Sequence, residues 1–280
     1  VLREFYSDLA DGDYETSWAI YHRRFSTNTM PRWPLAQPMR MLGHNGEINT
    51  LLGNINWARA HSSDLSQQCD FEKLVRPDNL SLLSKCDTQA AKDLEPVVDM
   101  SKSDSANLDG AFELLVRAGR DATEGLMVLV PEAYSSLPDL ESRPALKAFY
   151  EYHSGIQEAW DGPALLVFSD GKMMGAKLDR NGLRPARYFV TEDGLVCMMS
   201  ETGAVPIEEG TVKEKGRLGP GDMIAVDLEK GLFLHNEDIE ADVTTRKPYG
   251  EWLARQSLAI PPQSFAPVSY THLTLPTKRI

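Results

Sequence analysis

Three stretches in the second half of the chain turn back on themselves through glycine, and this limits the fold more than any other feature. Ala164–Phe168, the turn Ser169-Asp170-Gly171 and Lys172–Leu178 make the first. Ala186–Thr191, Glu192-Asp193-Gly194 and Leu195–Ser200 make the second. Asp222–Leu228, Glu229-Lys230-Gly231 and Leu232–His235 make the third. Glycine turns between β-rich runs signal hairpins. Ala164–Phe168 is apolar throughout, so its sheet is expected to be covered on both faces. Hairpins set apart from helices point to α+β layering with antiparallel sheets, not to a parallel βαβ fold.

Helical period marks the rest. Leu51, Ile55 and Ala58 fall at helical spacing within Thr50–Ala60. Leu108, Phe112, Leu115 and Val116 form a stripe after Ser101–Asn107, whose Ser and Asp residues suit a helix cap. A third helix is expected over about residues 122–129. A fourth spans Pro144 to Trp160 on a stripe of Leu146, Phe149, Tyr150, His153, Ile156 and Trp160, with proline in the first turn. His153 on that apolar face reads as a core histidine with one hydrogen-bond partner. Nearer the N-terminus, residues 1–16 are a polar lead-in and 17–25 a strand. Pro31, Pro34 and Pro38 exclude regular structure before a second strand over 39–44. Residues 61–100 show no clean period. Residues 245–266 read as a helix with a proline-rich exit. One domain is expected over residues 1–250, with a linker starting over 251–266. Residues 267–280 resemble a translated sequencing-adapter read-through and are set outside the fold.

The balance of 29 basic against 41 acidic residues, a formal charge of −12, argues against a nucleic-acid or anionic-membrane surface. No apolar run reaches membrane-spanning length. Cys69, Cys86 and Cys197 are odd in number and widely spaced, which implies free thiols in a reducing compartment and no metal-ligand pattern. The N-terminus, Val1-Leu2-Arg3-Glu4-Phe5, is neither signal nor transit peptide. It lacks an initiator methionine, as expected of a piece of a longer protein.

Chemistry concentrates between Arg24 and Asn49. Alternation over Ser17 to Phe25 places Trp18, Ile20, His22 and Arg24 on one face, so a cation ends an apolar row. It either caps an edge or receives an anion. Further on, Gly43-His44-Asn45-Gly46-Glu47-Ile48-Asn49 follows the second expected strand. Asn-Gly is the commonest two-residue hairpin turn. The other reading is chemical: an Asn45 amide donor and the Gly46 N–H, converging on one point, make an oxyanion hole for acyl transfer.

Taken together the runs resemble a known family. Arg24-Phe25-Ser26-Thr27-Asn28-Thr29, Trp33-Pro34-Leu35-Ala36-Gln37-Pro38, His44-Asn45-Gly46-Glu47-Ile48-Asn49-Thr50 and Ser103-Asp104-Ser105-Ala106 carry the likeness. Pro131-Glu132-Ala133, Trp160-Asp161-Gly162-Pro163-Ala164, Leu178-Asp179-Arg180-Asn181-Gly182-Leu183-Arg184-Pro185 and Lys215-Gly216-Arg217-Leu218-Gly219-Pro220-Gly221 extend it. Over residues of about 15–250 the chain is similar to the class II glutamine amidotransferase domain of the glutamate synthase family. The resemblance implies an N-terminal-nucleophile hydrolase fold, an αββα sandwich of antiparallel sheets, incomplete here at its N-terminus. It implies a cysteine nucleophile in a segment upstream of Val1, so that this chain by itself lacks the attacking thiol. The released ammonia would meet 2-oxoglutarate at a distant flavin site in downstream domains.

By the same resemblance, Arg24 binds the α-carboxylate of L-glutamine and Thr27 adds a hydrogen bond nearby. Asn45 and Gly46 stabilise the oxyanion, and Asp104 binds the α-ammonium. The full-length enzyme would use FMN and an iron–sulfur cluster, with electrons from ferredoxin or from a NAD(P)H-oxidising subunit. No cofactor or metal is expected in this chain. Gln37-Pro38-Met39-Arg40, Leu42-Gly43-His44 and Ser105-Ala106-Asn107-Leu108-Asp109 are more similar to the ferredoxin-dependent branch. That branch implies a plastid stroma or a cyanobacterial-type cytoplasm, not secretion. Two other readings stay open. One is a class II amidotransferase of another pathway, against which Leu178–Pro185 and Lys215–Gly221 count. The other is a non-catalytic glutamine-binding or structural module.

Overall fold

All three glycine turns close hairpins. A computed structural model describes residues 2–23, 30, 32–67 and 97–258. Strands β1 (Leu42–Gly46), β2 (Ala164–Ser169) and β3 (Met173–Leu178) are followed by β4 (Arg187–Thr191), β5 (Val196–Met199) and β6 (Val212–Arg217). Strands β7 (Met223–Asp227) and β8 (Leu232–Leu234) complete them. Two antiparallel sheets result. One has the order β1-β2-β3-β7-β8 and the other β5-β4-β6.

Helix α1 (Leu2–Phe5) is a single turn; α2 is Leu51–Gln67, α3 Asp104–Arg117, α4 Ala122–Leu129, α5 Pro144–Ser154, α6 Asn236–Thr245 and α7 Tyr249–Gln256. Local sequence accounts for their starts. Ser103 caps α3, its Oγ accepting the Ala106 N–H at 3.2 Å. Asp104 in the first turn and Arg117 in the last both suit the helix dipole. Pro144 opens α5. Helix α4 is buried along its whole length. No helix among the described residues is long and apolar enough to cross a membrane.

Alternation along β2 builds two cores. Leu166 and Phe168 face the helices, where they meet Leu108, Phe112, Leu126, Phe149 and Met223. Leu165 faces the second sheet with Ala176, Leu178, Ala186, Leu218 and Ile224. The layer order is helices, first sheet, second sheet, the α+β arrangement expected, and β2 is covered on both faces. Each fully buried Leu or Phe contributes about 1.5–3 kcal/mol to holding the layers together. A buried cation ties the first sheet to a loop. Lys177 on β3 donates through Nζ to Gly221 O at 2.6 Å. Burial pulls its pKa down to about 8, against the opposing pull of Glu132 and Asp222.

Several local expectations are corrected. Residues 17–23 form no strand, since alternation sets a face but does not by itself supply the strand pairing. The second strand begins at Leu42, and Asn45-Gly46 lies inside it, not in a hairpin turn. Helix α5 stops at Ser154, short of Trp160. Gly155 ends it, Ile156 is exposed, and Trp160 is buried instead by its N–H reaching Leu129 O at 2.6 Å. Strand β6 went unforeseen, since its exposed positions are charged: Lys213, Lys215 and Arg217. The helix expected after residue 245 is α7, and α6, which ends at Thr245, went unforeseen. Helix α7 packs Tyr249 and Trp252 against the core. His153 is a core histidine as expected, but with two partners, not one: Nδ1 lies 2.9 Å from Phe149 O and Nε2 3.5 Å from the Arg120 guanidinium, and burial lowers its pKa to about 4.

Candidate functional site

Strand β1 stands at an edge of the first sheet among the described residues, and its backbone alternates. Ser169 N–H donates to Met41 O at 3.0 Å, and Glu47 N–H to Pro163 O at 3.2 Å. Given the register Leu42↔Phe168 through Gly46↔Ala164, the odd-numbered residues bond with β2 and the even-numbered N–H groups point outward. The first two outward groups are taken. Asp109 Oδ1 accepts the Leu42 N–H at 2.9 Å, and Gln37 Oε1 accepts the His44 N–H at 2.5 Å. Third in the row is the Gly46 N–H, which points to the same open edge. No loop or side-chain acceptor among the described residues meets it.

Only glycine fits at position 46. A Cβ there would lie 2.1 Å from Pro163 O and 2.5 Å from Ala164 Cα, and φ is +156°. Beyond it the chain is laced to the segment before β2. Asn49 N–H donates to Asp161 O at 2.7 Å, and Asp161 N–H to Thr50 Oγ1 at 3.0 Å. Asp179, itself buried, holds this segment from below, its Oδ1 accepting the Ala164 N–H at 3.1 Å.

Asp104 arrives from 56 residues away. Its Oδ2 accepts the Ile48 N–H at 2.8 Å, two residues past Gly46. Oδ1 accepts the Ser105 N–H at 2.7 Å and the Ser105 hydroxyl at 3.3 Å. A carboxylate offers about four lone-pair sites, so three donors leave one for a ligand. Helix α3 therefore grips β1 twice, with Asp104 beyond its end and Asp109 at its start. Asp109 accepts the N–H groups of Arg40, Met41 and Leu42. Burial raises its carboxyl pKa, and those three bonds oppose the rise.

His44 lies between these groups. Burial pushes its pKa down, Asp104 pulls it up, and His22 and Arg184 push it down again. Burial is the largest of these effects and favours the neutral imidazole. Its Nδ1 is buried and meets no partner among the described residues.

Of the residues singled out by sequence, Asn45 and Gly46 end β1, and Asp104 accepts the Ile48 N–H two residues beyond it. Arg24 and Thr27 lie outside the described residues, as do Cys69 and Cys86. Cys197 is a free thiol on β5 whose pKa is raised by burial, the reverse of an activated nucleophile. Sequence reading singled out neither Asp109 nor Asp179, Arg184 and Gln37 as individuals. The signal for Asp109 was a carboxylate inside an apolar helical stripe.

The family model for class II glutamine amidotransferases matches residues 1–252. The chain is 54% identical over 260 residues to a ferredoxin-dependent glutamate synthase of Pyropia yezoensis, covering 92% of the chain and 16% of that protein. It is 53% identical over 266 residues to ferredoxin-dependent glutamate synthase 2 of Synechocystis sp., covering 95% and 16%. It is 49% identical over 266 residues to a chloroplastic ferredoxin-dependent glutamate synthase of Oryza sativa, covering 95% and 15%. The chain thus spans about one sixth of the length of these relatives.

Proposed function

The chain belongs to the class II glutamine amidotransferases, proteins of the N-terminal-nucleophile hydrolase type, and on that premise we propose that it is the glutamine-hydrolysing part of a ferredoxin-dependent glutamate synthase. L-glutamine binds at the outer end of β1. Arg24 grips the α-carboxylate with its guanidinium fork, assisted by Thr27. Asp104 takes the α-ammonium on the oxygen site its backbone donors leave free. A cysteine thiolate attacks the side-chain carboxamide carbon. The resulting oxyanion is held by the Asn45 amide and the Gly46 N–H, and ammonia leaves with a thioester behind it. Water then releases glutamate.

What supports this reading is that the Gly46 N–H, met by no acceptor among the described residues, and the Asp104 carboxylate, bonded to the Ile48 N–H, lie near one strand end although 58 residues apart in sequence. A hairpin turn and a plain helix cap would each account for one motif, but not for their meeting.

The ammonia passes to downstream synthase domains, which join it reductively to 2-oxoglutarate. FMN and an iron–sulfur cluster would supply the electron path there. Ferredoxin, named in the relatives, is the proposed electron donor. A plastid stroma or a cyanobacterial-type cytoplasm follows from the same relatives.

Arg24→Ala in the full-length enzyme tests the reading. Glutamine-driven glutamate formation should need at least about tenfold more glutamine, as for loss of a charged anchor. Ammonia-driven formation should be unchanged. Equal loss of both rates would remove Arg24 from the glutamine site.

A further inference from the structure

Pro163 O sits against the glycine that the proposed oxyanion hole depends on. A Cβ on Gly46 would lie 2.1 Å from it. A carbonyl oxygen there is the negative end of a dipole beside the place where negative charge develops, and left alone it would oppose that charge. Two donors occupy it: Glu47 N–H at 3.2 Å and Arg184 Nε–H at 3.2 Å. Arg184 approaches from a loop that is itself pinned. Asp179 O accepts the N–H groups of Gly182 and Gly221, each at 3.0 Å, and Gly182 lies against Pro220. Among the described residues Arg184 makes no ion pair. The same charge acts on His44, the residue two before Gly46.

We propose that Arg184 is a positioning residue for glutamine hydrolysis. It holds Pro163 O so that Gly46 N–H keeps its outward direction, and its cation offsets the carbonyl dipole beside the developing oxyanion. This rests on the reading of the β1 end as the glutamine site. Arg184 touches no substrate atom in this scheme, which separates it from Arg24. Loss of Arg24 weakens glutamine binding, whereas loss of Arg184 slows the chemical step with binding kept.

The experiment is steady-state kinetics of the full-length enzyme with Arg184→Gln and Arg184→Lys, driven by glutamine and separately by ammonia. Arg184→Gln should lower the glutamine-driven kcat by about tenfold or more, keep the glutamine KM within about twofold, and leave the ammonia-driven rate unchanged. Arg184→Lys, which keeps the charge and a donor without the rigid fork, should recover part of that kcat. A glutamine-driven kcat that Arg184→Gln leaves intact overturns the proposal. So does a raised KM with kcat unchanged, or equal loss of both rates, which marks a merely structural role. If Arg184→Gln does not fold, Arg184→Lys decides alone: kcat reduced a few-fold at constant KM supports the proposal, and a wild-type kcat overturns it. Asn45→Ala separates the two levels. If it leaves glutamine-driven turnover intact, the glutamine site is misplaced. If it costs ~100-fold while Arg184→Gln costs nothing, only the role of Arg184 fails.

Discussion

Gly46 shows how a single residue joins fold to chemistry. Its missing side chain lets β1 close on Pro163 and Ala164, and the strand's alternation then sends its N–H to the open edge. Gly46→Ala would place a methyl group inside backbone atoms, so Pro163 or the strand end must move. Overpacking of this kind costs about 1–3 kcal/mol. A lower thermal midpoint should accompany a glutamine-driven rate reduced by ~100-fold or more, the cost of losing one oxyanion donor. A variant with the wild-type rate and midpoint would show that the crowding at Pro163 is relieved without cost. At this scale the sequence was partly legible. His44-Asn45-Gly46 stood out because its residue types are unusual for a plain strand, whereas Ser103-Asp104-Ser105 suits a plain cap and stood out only through the family resemblance. Asp109, Asp179 and Arg184 did not, because each acts through a backbone group far along the chain. Asp109 reaches Leu42 across 67 residues, and Arg184 reaches Pro163 across 21.

Elements whose signals are local were read well. The three hairpins and α4 follow from turn glycines and short periods, and α3 from its cap and stripe. Elements that depend on a distant partner were not. Residues 17–23 alternate without becoming a strand, and β6 becomes one by pairing with β4 despite a charged sequence. Helix α5 illustrates a middle case, since its stripe ran on to Trp160 while its backbone stopped at Gly155. Its buried His153 also gives the helical layer a defined response to acid. The pKa is lowered from 6.5 to about 4 in the fold, so between those values the unfolded chain binds a proton that the folded chain refuses. Stability therefore falls as pH drops below 6.5, by about 2 kcal/mol from this group at pH 5. Unfolding of the wild type and of His153→Gln should be compared at pH 7 and pH 5. The drop in thermal midpoint should be smaller in the variant. An equal drop in both would assign the acid sensitivity elsewhere.

Across the whole molecule, the layers serve to bring remote segments to one edge. Helix α3, packed through Leu108 and Phe112 on the first sheet, carries Asp104 to the end of β1, and the loop after β3 supports that end from beneath. Selection of a zwitterion by Arg24 and Asp104 is what this layout is proposed to achieve. The fold class and its two-faced sheet could be read from the glycine turns and the apolar run Ala164–Phe168, but the joining of β1 to α3 needed coordinates. The most direct measurement is kcat/KM of the full-length enzyme, wild type and Asp104→Asn, for L-glutamine and for its analogue without the α-amino group. The carboxamide that Asp104→Asn introduces would still accept the Ile48 N–H, so the strand end stays in place while the negative charge is lost. Wild type should prefer glutamine by about a thousandfold or more, and Asp104→Asn should shrink that preference at least about tenfold. A preference left unchanged by Asp104→Asn would mean that Asp104 does not meet the ammonium, and the end of β1 would not be the glutamine site.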